Sequence, residues 1–512
     1  MTRALAVSLN PDEEPPDDTD SSESGESPTP RAHGPFANCS QFRLVDHYYG
    51  RSDTHSQGDF DDMVHVITSP GFQPEDLRGF SARKAEELLD TYRPPDGVFS
   101  GEDGWRKDTP LEIPVPKANC RTKTEAEAPK FRVNGLVFRR LLDLVKSVVA
   151  DPFSRFKDKY HWVGHEMWWN PPPAAPEAEQ PAEATPSASS LPDPIRVWTD
   201  CYNSSAMLDE EAKLRQQPRV PSDDLNVEYV ILPLLIWSDA THLSSFGTAH
   251  LWPIYVYFGN LSKYVRGRPT EFAAQHLAYV PDLADGFAEW YQDTFGRPAP
   301  RKTKTFCKWE LFQQIWKLLL DDDFVRACRE GILITCGDGV VRRVFPRVFT
   351  YSADFPEKIL ALALHPFAKH ICPRCYIERS QMSAAGTEAD DRRRANKRVD
   401  NHALREVITR ARRYVFRGWS LGNEHVTELL QHGSFNPIQS AFSEKLSEFG
   451  TNCYELFAPD LMHEFELGVW KGVFNHLMRI LAVRGRRHIN EFNRRCAQIP
   501  VDTYILAGLL TI

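Results

Sequence analysis

The chain has 512 residues, 41% hydrophobic and 11% aromatic, enough for roughly two to four domains with at least one substantial core, which excludes a chain disordered throughout. The net charge of −9 excludes a uniformly basic nucleic-acid binder, although acid is concentrated early, in Asp12-Glu13-Glu14 and Asp17-Asp18, so local basic surface stays open. The ten cysteines are scattered, the apolar start is too short for a secretory signal and no apolar run approaches the roughly 20 residues of a membrane helix, so a reduced, intracellular, non-membrane protein is expected.

Residues 1–35 are rich in Asp, Glu, Ser and Pro and cannot bury enough surface to offset ordering entropy, so they read as a disordered acidic arm. Residues 36–170 are globular in composition and read as a mainly helical N-terminal region. Helices are expected over 74–77, 81–89 and 133–149, the last on the near-helical spacing of Leu136, Phe138, Leu141, Leu142, Leu144 and Val145. A Pro/Ala/Glu linker follows at 171–192. The main domain, 193–380, opens near Ile195. In it the β-rich run 227–237 delivers Asp239, and 251–258 pairs with that run as a hairpin. Helical material is expected around 271–323, and a second β-rich run, 340–352, leads into Asp354. Residues 381–440 form a basic insertion and 441–512 a helical C-terminal part, with an amphipathic helix over 461–485 through Leu467, Val469, Trp470, Val473, Phe474, Leu477 and Leu481. An α+β or α/β class is expected.

Two carboxylates at adjacent strand ends can share divalent cations, which is what two-metal phosphodiester chemistry requires. Asp239 and Asp354 are that candidate pair, although each alone also reads as a helix cap or turn residue. Cys372-Pro373-Arg374-Cys375 suits zinc or redox chemistry, and without a thioredoxin-like βαβ pattern zinc is the stronger option. A tetrahedral site needs two more ligands. His463 is the leading distant candidate, Glu466 offers an oxygen, and His365, His370 and His476 are alternatives; a lone His on an amphipathic helix also reads as structural. The cations Arg392, Arg393, Arg394, Lys397, Arg398, Arg405, Arg410, Arg412, Arg413 and Arg417 form either a solvated helical face or a phosphate-contacting surface.

The strings WSDATHLSSFGTAHLWPIYVYFGNLSKYVRGRP, SADFPEKILALALHPFAKHICPRCYI and APDLMHEFELGVWKGVFNHLMRIL together resemble the Plavaka-type transposases of basidiomycete fungi, within the CACTA-like cut-and-paste elements. NCSQFRLVDHYYG and FKDKYHWVGHEMWW fit the same family. The resemblance implies an RNase H-like mixed-sheet core whose acidic triad holds two Mg²⁺ or Mn²⁺ ions. Asp239 matches the first acid and Asp354 the second, and Glu491 is the candidate third, with Glu464, Glu466 and Asp502 also downstream. In the family a CxxC and a later histidine pair hold Zn²⁺, here Cys372, Cys375 and His463, with Glu466 at the second histidine position. Arg392, Arg393, Arg394, Lys397, Arg398, Arg412 and Arg413 are the DNA-binding candidates.

The function implied is metal-dependent cleavage and strand transfer at transposon ends in the nucleus, with double-stranded DNA as partner, a homo-oligomer left open and no membrane. The apolar run 504–512 looks like an interrupted frame and a truncated copy. The alternatives are an inactive remnant keeping zinc or DNA binding, cytoplasmic in that case, and a non-enzymatic interaction protein.

Overall fold

The computed structural model describes residues 36, 38–49, 57–69, 72–81, 83–85, 88, 99–107, 109–117, 124–171, 193–242, 250–284, 286–366 and 368–498. The acidic arm expected over 1–35, nearly all of the linker expected over 171–192 and the apolar run 504–512 lie outside the described residues.

In chain order the strands are β1 (Trp105–Arg106), β2 (Leu111–Pro114), β3 (Lys130–Val133), β4 (Val137–Arg139), β5 (Met167–Trp169), β6 (Ile195–Val197) and β7 (Glu228–Ser238). There follow β8 (Thr241–His242), β9 (His250–Leu251), β10 (Pro253–Phe258), β11 (Gln275–Tyr279), β12 (Ile332–Thr335), β13 (Val341–Ser352) and β14 (Phe457–Ala458). The main sheet has the order β1-β4-β11-β10-β7-β13-β12, with β14 also paired to β13, and the fold is mixed α+β. The pairs β2-β3, β5-β6 and β8-β9 form separate ribbons.

The central strands follow from composition. Val230, Ile231, Leu232, Leu234 and Ile236 of β7 are all buried, so the strand is covered on both faces, as its nearly unbroken apolar run demands. It runs parallel to β13 from Arg342↔Glu228 to Ser352↔Trp237, with an irregularity between Val348 and Thr350. On its other side it is antiparallel to β10, from Ile254↔Ser238 to Phe258↔Leu234, which is the hairpin expected from the sequence. The turn out of β10 needs a glycine. A Cβ at Gly259 would lie 2.7 Å from Cys201 Sγ and 2.9 Å from Pro233 Cβ, and its backbone N–H donates to the Pro233 carbonyl at 2.7 Å.

Two expectations are corrected by tertiary pairing. The helix expected over 133–149 covers only Leu141–Ala150, because Val137–Arg139 is strand β4, paired with β11 at Ala278↔Phe138 and Tyr279↔Val137. Besides its helices, the stretch 36–170 supplies β1 and β4 to the same sheet as β7. The helical material expected around 271–323 begins instead with strand β11, and its helices are Phe287–Phe295 and Arg301–Leu319. The second of these lies on the core through Phe306, Leu311, Phe312, Ile315, Trp316 and Leu319. One contiguous core joins side chains from Leu111 to Val149 with others from Val230 to Phe457.

The amphipathic helix expected over 461–485 is present in two parts, a π-helix Leu461–Trp470 continuing into the α-helix Lys471–Arg484. Neither part contains a buried residue. Among the described residues no helix is long and apolar enough to cross a membrane.

Candidate active site

Three strands run parallel at the point where the acidic side chains emerge. Trp237 of β7 is in register with Ser352 of β13, and Ser352 is in register with Ala458 of β14. Two residues beyond each of these positions stands an aspartate: Asp239, Asp354 and Asp460. Neighbouring strands are about 4.8 Å apart, so a shared register delivers the three carboxylates to one end of the sheet. The first two are the sequence candidates. Asp460 was not singled out, because a two-residue strand leaves no periodicity to read.

The acids differ in what holds them. Asp239 is half-buried and is followed by β8 rather than by a helix, so the cap reading does not apply to it. Asp354 is an N-cap: its Oδ1 accepts the Glu357 backbone N–H at 2.8 Å at the start of the helix Phe355–Ala361. A carboxylate has about four lone-pair sites, so one such bond leaves acceptor capacity. Asp460 is buried and caps the π-helix, accepting the backbone N–H groups of Met462 and His463 at 3.0 and 3.2 Å.

His463 closes the cluster. Its Nδ1 lies 2.7 Å from Asp460 Oδ2, and its pKa is raised first by that hydrogen bond and then by the charges of Asp460, Asp239 and Asp354. The imidazole is thus within electrostatic reach of all three aspartates. In return, burial would raise Asp460, but the bonds from the His463 ring and backbone outweigh it and hold the carboxyl low.

Behind the acids sits Glu357, a buried residue that sequence reasoning missed. It accepts hydrogen bonds from Ser238 Oγ, from the Tyr351 hydroxyl at 2.7 Å and from Trp252 Nε1 at 3.0 Å. Burial is the main force raising its pKa to about 7. The three donors pull the other way, and the charge of Asp354 adds to the rise. Since Ser238 ends β7, Tyr351 lies in β13 and Trp252 precedes β10, one carboxyl ties three strand ends together. The next residue, Lys358, is also buried and ion-paired with Glu464 of the π-helix.

Glu491, the candidate third acid, is placed elsewhere in chemical terms. It lies on the helix Arg486–Cys496, and Arg494 and Arg495 take up its carboxylate at 2.8 to 2.9 Å and hold its pKa down at about 2.

The zinc set expected at Cys372, Cys375, His463 and Glu466 is only half assembled. Cys372 and Cys375 are neighbours, and burial followed by the nearby Cys372 pushes the Cys375 thiol up. His463 is committed to Asp460. Among the described residues no group of three or more His, Cys, Asp or Glu side chains has an arrangement that could hold a metal ion. A structural zinc needs four protein ligands, so these residues do not fit one as they stand. Mg²⁺ is different: it is usually held by one or two carboxylates, with water and substrate phosphate completing its octahedron, and a carboxylate pair at strand ends fits that demand.

The basic candidates divide by burial. Arg398 is fully buried and donates to the carbonyls of Cys372, Gly433 and His370 at 2.9, 2.6 and 3.2 Å, between the rings of Tyr376 and Phe435. Arg412 is buried between Glu310 and Glu125. Neither can reach a phosphate, so both leave the DNA-contact set: a count of charges cannot distinguish a solvated guanidinium from a buried one. Arg394 is half-buried and paired with Asp390 at 2.8 Å. Arg392, Arg393, Lys397 and Arg413 are exposed.

Two cavities of about 310 Å³ occur elsewhere. One is lined by Trp162, Arg219 and Tyr229, the other by Asp400, Arg405 and Tyr454, and neither includes Asp239 or Asp354. A model of the family described as Plavaka transposase matches residues 178–480, more than half of the chain and the segment that holds all three aspartates. No curated protein matches the chain.

Proposed function

Because the chain belongs to the Plavaka transposase family, we propose that it cleaves DNA at transposon ends and joins those ends to a target in a metal-dependent reaction. The observation that carries this reading is the register Trp237↔Ser352, which sets Asp239 and Asp354 side by side at the ends of two parallel strands. An RNase H-like core is supported by the succession β11-β10-β7-β13-β14, with antiparallel pairs on one side of β7 and parallel pairs on the other.

Asp239 and Asp354 would hold Mg²⁺ or Mn²⁺, which in such sites activates water or a DNA 3′-hydroxyl and stabilises charge on the scissile phosphate. The remaining work belongs to side chains of this chain. Asp460, in register with the pair, holds His463 beside them rather than completing a metal-holding group, as no such group of three occurs among the described residues. His463, held on Asp460, sits where a proton can be carried near the carboxylates. Glu357 fixes the strand ends from behind. Arg392, Arg393, Lys397 and Arg413 offer charge to the DNA backbone, a contact that positions without reading sequence. A nuclear site of action follows from the substrate.

The test is nicking of repeat-containing duplex DNA in Mn²⁺ by the full chain and by Asp239→Asn. Activity lost in the variant supports the reading, and equal activity in both sinks it. A second reading, a DNA-binding remnant without chemistry, is favoured by the ion pairs that occupy Glu491. It predicts phosphate binding without nicking in either protein.

A further inference from the structure

At the other end of β7 the surface changes character. The ribbon β5-β6 presents Trp168, 54% exposed, on the face of Arg196, its partner in register, and Trp198 just beyond it is 63% exposed, while Trp169 belongs to the opposite face. Two indoles left in water on one face of a short ribbon call for an occupant, since such rings usually mark a binding surface.

The rings are held in place. Arg196 lies between these two rings, its guanidinium carbon 5.9 Å from the Trp168 ring and 5.5 Å from the Trp198 ring. That guanidinium is itself pinned by the carbonyls of Met167, Val197 and Asn203 at 3.1, 2.9 and 2.9 Å. Trp168 Nε1 donates to Glu166 at 3.0 Å, which fixes the edge of that ring. The platform is therefore ordered before anything binds, and little conformational entropy remains to be lost.

Cations stand next to it. Asp200, two residues after Trp198, accepts the Lys263 backbone N–H at 2.6 Å and pairs with Arg266 at 2.5 Å. Lys263 and Arg268 are exposed, and Lys263 Nζ lies 5.3 Å from the ring of Tyr264, itself 72% exposed. Flat aromatic faces interleaved with cations match a polymer that has π-faces and phosphates in alternation. A duplex hides its base faces; an unpaired strand offers them.

We propose that the surface formed by Trp168, Trp198, Lys263, Tyr264 and Arg268 binds unpaired single-stranded DNA by base stacking. The choice of DNA as the polymer rests on the transposase reading, whereas the stacking chemistry rests on the surface alone. Asn260 ties this region to the β7 end away from the acids through the carbonyls of His161 and Ile231, at 3.0 and 3.2 Å. The eight residue steps from Ile231 to Asp239 span roughly 26 Å of extended strand, so the site is separate from the carboxylates.

The experiment is fluorescence anisotropy of a labelled 12-nucleotide oligo(dT) with the full chain in EDTA at low salt, with a duplex of mixed sequence as competitor. Oligo(dT) is expected to bind more tightly than the duplex. Trp168→Ala and Trp198→Ala should each weaken it about ten-fold, and Trp168→Phe should keep most of the affinity. Lys263→Glu with Arg268→Glu should weaken it and flatten its salt dependence. All these side chains are largely exposed, so unchanged thermal unfolding of each variant is the folding check.

No oligo(dT) binding, or equal binding by the double variant Trp168→Ala/Trp198→Ala, overturns the proposal. So does self-association that the double variant abolishes, which would assign the ribbon to a second copy of the chain. Asp239→Asn should bind oligo(dT) like the wild type, so loss of nicking and loss of stacking are read separately.

Discussion

Arg412 and Glu310 form a buried ion pair at 2.8 Å, their side chains 5% and 3% exposed, and the same guanidinium reaches Glu125 at 2.6 Å. A residue of the basic segment thus joins the helix His402–Phe416 to the core helix Arg301–Leu319 and to the N-terminal region. Arg412→Ala would strand the Glu310 charge and is expected to cost about 3 to 5 kcal/mol in denaturant unfolding. Arg413→Ala, one residue on and exposed, should stay within about 0.5 kcal/mol. Equal losses in the two variants would show that the pair is not buried in solution.

Replacing Arg392, Arg393, Lys397 and Arg413 by Ala should weaken duplex DNA binding without unfolding the protein. Each phosphate contact removed should reduce the slope of log affinity against log salt by about 0.9. An unchanged slope would place the DNA path elsewhere.

Calorimetric titration with Mn²⁺ should show a site in the wild type that is lost in both Asp239→Asn and Asp354→Asn. Asn caps a helix about as well as Asp, so Asp354→Asn should unfold like the wild type, while Asp354→Ala should lose about 1 kcal/mol in addition to the metal. Mn²⁺ binding retained by either Asn variant would remove that residue from the metal site.

Glu357 makes the fold sensitive to pH. Its carboxyl is raised from 4.5 to about 7, so the folded chain binds this proton more tightly than the unfolded one. Its contribution is fully present below pH 4.5 and falls as pH rises to about 7, by roughly 3 kcal/mol in total. Glu357→Gln should flatten this part of the profile of melting temperature against pH. A profile identical to that of the wild type would mean that Glu357 titrates normally.

The His463–Asp460 pair works against the protonation of one partner and in favour of the other. Because the His463 pKa is raised in the fold, the pair stabilises fully below the usual histidine value of 6.5 and is lost as pH rises through the raised one. Asp460→Asn should bring the His463 imidazole resonance back towards ordinary titration in an NMR series. Titration unchanged in that variant would assign the shift to Asp239 and Asp354 alone.

The long elements were legible where composition alone decides. The apolar run of β7 and its hairpin with β10 follow from local pattern, and so does the run-in of β13 to Asp354. What distant partners decide was hidden. Leu136 and Phe138 sit at helical spacing with Leu141, yet Gly135 takes φ of 88° and β11, which follows far along the chain, claims Val137 and Phe138 as a strand. Arg398 and Arg412 look like any other cation in a basic run until the carbonyls and carboxylates around them are seen. Asp460 was hidden by the shortness of β14, although its register with Ser352 makes it the counterpart of Asp239 and Asp354.

The pairing of Val137–Arg139 with Gln275–Tyr279 means that the segments before residue 172 and after residue 192 complete each other. Either half made alone would expose a sheet edge and part of an apolar core that the other half covers. Cut between them, the two pieces should still recognise each other and rejoin, so the polypeptide carries a natural point for splitting it into complementing fragments.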